Sequence, residues 1–135
     1  MKAISGYGII HGDIKPDNIL YSRTGNDIQI VISDFSFANG RFGGTPMFMA
    51  PEGLTNRVLE KTDIYSFGIT ILLLRYGPDV IIGGLFESVM SENLELIRNI
   101  FMSKPTISLV SQMIQYDPVS RPNLEIIQKT MKSNK

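Results

Sequence analysis

The chain of 135 residues has no cysteine, no tryptophan and a single histidine. Without cysteine it can form no disulfide, no thiolate metal site and no cysteine nucleophile. It also lacks an excess of either charge: basic and acidic residues number 13 each, for a formal net charge of zero. That balance argues against a dedicated surface for nucleic acid or for an anionic membrane. The longest apolar run, Ile69 to Leu74 with Thr70 inside it, is far short of the ~20 residues a membrane-spanning helix needs. No secretory signal, repeat or low-complexity segment is read. These absences fit a cytoplasmic or nuclear protein. What is present is a hydrophobic share of 43%, enough for one domain with a sizeable core rather than a disordered chain.

The most informative stretch is His11-Gly12-Asp13-Ile14-Lys15-Pro16-Asp17-Asn18-Ile19-Leu20. Its D-x-K-x-x-N spacing suits phosphoryl transfer, in which a protein mostly positions groups and neutralises charge. A carboxylate can accept the proton of an attacking hydroxyl, a lysine can reach the moving phosphate, and an amide oxygen can bind a metal ion. Pro16 fixes one backbone angle between them. Ile9-Ile10 and Ile19-Leu20 read as short strands pinning both ends. Alone, Asp13 could equally be a loop aspartate bonding its own backbone. A second signal, Ser33-Asp34-Phe35-Ser36, follows the apolar run from Ile28 to Ile32 and places an Asp at a strand end. Further on come Gly44-Thr45-Pro46, Ala50-Pro51-Glu52, Asp63-Ile64-Tyr65-Ser66-Phe67-Gly68 and Asp117-Pro118-Val119-Ser120-Arg121-Pro122.

In this order and spacing the motifs resemble the C-terminal lobe of a eukaryotic-type protein kinase of the Ser/Thr type. His11-Gly12-Asp13 stands at H-R-D, Asp34-Phe35-Ser36 at D-F-G and Ala50-Pro51-Glu52 at A-P-E. The resemblance implies a mainly α lobe with a small β-hairpin (α+β), residues 1–135 forming a partial catalytic domain. It implies ATP and Mg²⁺ as cofactors and a protein as substrate. Asp13 and Lys15 take the catalytic positions. Lys15, Asn18, Leu20 and Asp34 take nucleotide-binding ones, with Asn18 and Asp34 as metal ligands. It also implies supporting roles: His11 packed on Phe35, Thr45 bonding Asp13 and Lys15, Asp63 holding the backbone near His11, and Glu52 paired with Arg121. The alternatives are a catalytic acid–base role for His11 and two unrelated surface charges at Glu52 and Arg121. Lys15-Pro16 and Thr45 point to Ser/Thr rather than Tyr specificity.

The chain departs from the family pattern in places. Gly12 replaces an Arg that usually meets a phosphorylated residue, which implies a segment not switched that way. Ser36 replaces a Gly and restricts the backbone there. No G-x-G-x-x-G loop and no V-A-I-K lysine occurs, so the resemblance covers the C-terminal lobe alone. The expectation is a kinase domain inactive or incomplete by itself, its exposed face open to a partner protein. The alternative is a non-catalytic, pseudokinase-like binding module.

Along the chain, a turn at Thr24-Gly25-Asn26-Asp27 predicts a hairpin. A long helix capped by Thr62 is expected to run to Arg75 or Tyr76 and to bury Ile64, Phe67, Ile69, Ile71, Leu72, Leu73 and Leu74. Gly77-Pro78 stops it, and Gly83-Gly84 marks a loop. Leu94, Ile97 and Phe101 share one helical face, and Ile107, Val110 and Ile114 another. Asn123 caps a last helix with Leu124, Ile127 and Met131 inward. The methionines read as core filler.

Overall fold

The structure is a computed structural model, described here for residues 8–39, 43–55, 60–77 and 105–133. Two antiparallel strands, β1 (Ile19–Thr24) and β2 (Asp27–Ile32), form a hairpin with Ile19 opposite Ile32 and Thr24 opposite Asp27. β-Branched residues favour extended backbone, and Gly25 at φ 61° supplies the left-handed residue of the two-residue turn. Among the described residues three helices follow: α1 (Glu60–Tyr76), α2 (Pro105–Met113) and α3 (Leu124–Ser133). Short 3-10 turns over Pro16–Asn18, Pro46–Phe48, Pro51–Thr55 and Pro118–Ser120 each begin at a proline, whose fixed φ suits a first helical position.

The core lies around α1. Ile64, Tyr65, Ile69 and Leu72 of α1 pack with Phe48, Ala50, Leu109, Val110, Met113, Ile114 and Ile127. Gly68 lets α1 and α2 approach closely: a Cβ there would lie 2.7 Å from the Ile114 side chain and 3.1 Å from Met113 Cβ. Polar residues inside α1 find backbone partners. Ser66 Oγ donates to the Phe48 carbonyl at 2.7 Å, and Thr70 Oγ1 to the Ser66 carbonyl at 2.8 Å.

Several expectations need correction. Thr62 is not the cap of α1, because the helix already begins at Glu60; its hydroxyl instead donates to Glu52 Oε1 at 3.2 Å. The apolar set of α1 is not buried all round. Phe67, Ile71 and Leu73 are half-buried and Leu74 is exposed, because α2 covers one side of the helix. Met131 is exposed, while Ile127 is buried and Leu124 half-buried. Of the methionines only Met113 is fully buried among the described residues; Met47 is exposed. Ile9-Ile10 is not a strand, since only Ile10 exchanges backbone bonds, with Asn39. Asn123 does cap α3, its Oδ1 accepting from the Ile126 amide at 2.9 Å. The Gly77 amide closes α1 on the Leu73 carbonyl. The expectations on Pro78, Gly83-Gly84, Leu94, Ile97 and Phe101 lie outside the described residues, as does the Ile107 side chain.

Tyr65 is buried, and its hydroxyl has no hydrogen-bond partner among the described residues. The Arg121 guanidinium lies 4.9 Å from the centre of its ring, a cation–π distance. Burial pushes the phenol up to about 12. The folded protein therefore holds this proton where an unfolded chain releases it near pH ~10. This group therefore leaves stability unchanged below pH ~10 and lowers it as pH rises from there toward about 12. We expect an alkaline titration read by tyrosinate absorbance to end in a late step in which Tyr65 ionises together with unfolding. Tyr65→Phe should remove that last step and raise stability by about 1 kcal/mol, by deleting an unsatisfied buried hydroxyl. Loss of stability in urea unfolding would show that the hydroxyl has a partner.

Candidate active site

The loop from Ile9 to Asn18 is held by α1 and by the end of the hairpin. Asp63, in the first turn of α1, accepts from the His11 amide at 2.6 Å through Oδ2 and from the Gly12 amide at 2.9 Å through Oδ1. One carboxylate thus satisfies two consecutive backbone donors that are otherwise buried without partners. Burial pushes the Asp63 carboxyl above its ordinary range, and the two amide donors oppose that shift. The His11 ring is fully buried. Its Nδ1 accepts from the Asp13 amide at 3.2 Å, so Nε2 carries the proton and donates to the Ser33 carbonyl at 2.9 Å. It also meets the Phe35 ring edge-on, with centroids 4.8 Å apart. Both ring nitrogens are engaged by backbone, which leaves neither free for acid–base work in this state.

Past His11 the 3-10 turn over Pro16–Asn18 reverses the chain and brings three side chains together. Asp13 is 4% exposed and Asn18 is 6% exposed. Asp13 Oδ2 is 3.1 Å from Lys15 Nζ and accepts from Asn18 Nδ2 at 3.3 Å. Its Oδ1 accepts from the Thr45 amide at 2.8 Å. Lys15 Nζ also donates to Thr45 Oγ1 at 2.7 Å. Thr45 therefore reaches Lys15 by its side chain but Asp13 by its backbone. Three donors converge on one carboxylate, an arrangement that fixes its orientation.

Asp34 stands at the end of β2, exposed, with φ 63°. The Ser33 amide donates to the Asn18 carbonyl at 2.9 Å, which brings this strand end beside the loop. The Ser36 hydroxyl and amide both donate to Asp34 Oδ1. These bonds, the hydroxyl first, hold the Asp34 carboxyl below the ordinary carboxylate range. Asn18 uses its Nδ2 on the carbonyl and the carboxylate of Asp13, so its Oδ1 has no hydrogen-bond partner among the described residues. That amide oxygen and the Asp34 carboxylate are hard oxygen donors and fit Mg²⁺, which is usually held by one or two protein oxygens with phosphate and water completing the shell. No group of three or more His, Cys, Asp or Glu residues that could hold a metal exists among the described residues.

Not every expected site residue joins this network. Leu20 is 53% exposed on β1, and among the described residues no bond links it to Asp13. Glu52 and Arg121 form a bidentate pair at 2.5 and 2.8 Å, tying the turn over Pro51–Thr55 to the segment before α3. Some functional contacts were not read from the sequence at all. Asn39 bonds both backbone groups of Ile10, Ser36 holds Asp34, and Lys61 Nζ donates to the Arg121 carbonyl. Their residue types are common in loops and helices, and nothing in their spacing marks them.

The protein kinase domain family matches residues 1–133 of this chain. Calcium-dependent protein kinase 9 of Oryza sativa subsp. japonica is 29% identical over 139 residues, covering 93% of this chain and 24% of that protein. Serine/threonine-protein kinase PEPKR2 of Arabidopsis thaliana is 30% identical over 128 residues, covering 84% of this chain and 27% of its own length. Calcium/calmodulin-dependent protein kinase type 1B of Homo sapiens is 30% identical over 128 residues, with 84% of this chain and 37% of that protein covered. The chain thus spans between 24% and 37% of the length of these three relatives.

Proposed function

The chain belongs to the protein kinase domain family, and from that premise we propose that residues 1–135 are the C-terminal lobe of a Ser/Thr protein kinase. The reaction is transfer of the ATP γ-phosphoryl group to a hydroxyl of a protein substrate. The observation that carries this reading is the convergence of Lys15, Asn18 and Thr45 on Asp13. Lys15-Pro16 and the Lys15–Thr45 bond favour Ser/Thr specificity.

Asp13 orients the substrate hydroxyl and accepts its proton. Its Oδ1 becomes available when that hydroxyl replaces the Thr45 amide now donating to it. Lys15 neutralises charge on the phosphoryl oxygens. Asn18 Oδ1 and Asp34 hold Mg²⁺, which when bound supplies charge neutralisation across the phosphates. Leu20 offers an apolar floor to the nucleotide base. His11 and Asp63 act by holding the loop backbone.

We expect Asp13→Asn to lower phosphate transfer by about 10²–10⁴-fold, the usual worth of a positioned acid or base. Transfer of labelled phosphate to a generic protein substrate, with and without the substitution, checks this; undiminished turnover in the variant would remove Asp13 from the role. A second reading is favoured by one observation. Tyr21, Ile28 and Ile30 on one face of the hairpin, and Leu20 and Val31 on the other, are all exposed, apolar surface of the kind that covers or is covered by another protein. In that reading the chain is a non-catalytic docking module, and the same assay gives no turnover even when the chain is joined to the ATP-gripping N-terminal lobe of a related kinase.

A further inference from the structure

We propose that Ser36 is a positioning residue for the metal ion: its hydroxyl locks the Asp34 carboxylate so that Oδ2 is the oxygen left for the ion. The inference rests on the reading of Asp34 and Asn18 as Mg²⁺ ligands. A carboxylate oxygen has about two lone pairs to offer. On Asp34 Oδ1 both are taken, by the Ser36 amide at 3.2 Å and by the Ser36 hydroxyl. Oδ2 has no hydrogen-bond partner among the described residues. Asp34 is thereby prepared to bind through one oxygen, as Mg²⁺ sites ordinarily use their carboxylates.

The backbone around Asp34 is anchored on both flanks. Ser33 donates to the Asn18 carbonyl by its amide at 2.9 Å and by its hydroxyl at 3.3 Å, which ties the two ligands to each other. On the other side the Phe35 ring meets the buried His11 ring edge-on. Asp34 itself sits at φ 63°, a conformation aspartate tolerates better than most residues. What the backbone leaves undecided is the rotation of the carboxylate, and the Ser36 hydroxyl stops it. Ser36 lies outside the left-handed region, so a side chain fits there without strain. Glycine at this place would offer the amide but no hydroxyl. Asp34 and Ser36 are both exposed, so water competes for their bond and it adds little to folding stability. Its effect falls on aim: a ligand already held in one orientation has less freedom to lose when the ion arrives.

A Mn²⁺ titration of the whole chain tests this, Mn²⁺ being a paramagnetic ion that takes the same hard oxygen ligands. Free Mn²⁺ is read by electron paramagnetic resonance, and its place by broadening of the Asn18 side-chain amide signals. The parent should bind, and Asp34→Asn should remove that binding. Ser36→Ala should weaken it about tenfold, the low end for losing a hydrogen bond to a ligating carboxylate, with an unchanged urea midpoint. Ser36→Thr, which keeps a hydroxyl, should stay within about twofold of the parent. Binding by Ser36→Ala within about twofold of the parent would overturn the proposal while leaving Asp34 and Asn18 as ligands. So would a Ser36→Thr variant as weak as Ser36→Ala, since the hydroxyl would then not be the cause. Binding absent from the parent, or equal in the parent and Asp34→Asn, would remove Asp34 from metal ligation and the proposal with it.

Discussion

Leu72→Asp is expected to abolish cooperative folding. Leu72 is 1% exposed on the side of α1 that meets the core. Its burial stabilises by about 1.5–3 kcal/mol, which the substitution forfeits. The new carboxylate would be desolvated among apolar side chains at a cost of several kcal/mol more, or stay protonated and still lack partners. Against a total stability of ~5–15 kcal/mol, that sum leaves little or nothing. The control lies two residues along the same helix. Leu74 is 67% exposed, and Leu74→Asp should change stability by no more than about 0.5 kcal/mol. Thermal melts followed by circular dichroism separate the two. A soluble Leu72→Asp variant with a sharp transition would refute this packing of α1.

Removing Arg121 should cost about 3–5 kcal/mol, the range for breaking one partner of a buried ion pair. The guanidinium is fully used. Nη1 donates to Glu52 Oε1 and the Lys61 carbonyl, Nη2 to Glu52 Oε2 and the Tyr116 carbonyl, and Nε to the Gln115 carbonyl. Arg121→Met leaves Glu52, whose side chain is only 11% exposed, without its cation and leaves three carbonyls without these donors. Arg121→Lys should recover only a part, because an ammonium cannot reproduce the planar fork. Double substitution of Glu52 and Arg121 by apolar residues should cost less than Arg121→Met alone, since no unpaired charge remains. Urea unfolding midpoints measure all three. A loss below about 1 kcal/mol for Arg121→Met would place the pair among weak, solvent-screened contacts.

The sequence carried local and motif-level information well. The hairpin follows from β-branched runs around a Gly-containing turn. The capping of α3 follows from Asn123, whose side chain can accept a backbone amide three residues on. The spacing of Asp13, Lys15 and Asn18 leads to one cluster because Pro16 starts a tight turn between them. Less legible were the exposure of Leu74 and Met131, which have the same apolar character as their buried neighbours. Periodicity tells which residues share a face of an isolated helix, but not which face a second helix will cover.

By itself, then, the sequence determined the family pattern, the hairpin, the caps and the residues that cluster within a few positions of Asp13. Such features depend on backbone preferences and on side chains close along the chain. Tertiary structure alone decided that Gly12 lies against the Phe37 backbone, that Asn39 bonds Ile10 and that Thr45 reaches Asp13 by its amide rather than its hydroxyl. These contacts join residues some 25 to 32 positions apart. Close approach of two backbones leaves its mark only as a missing side chain, and a glycine in a loop looks the same whether it is a turn or a docking surface.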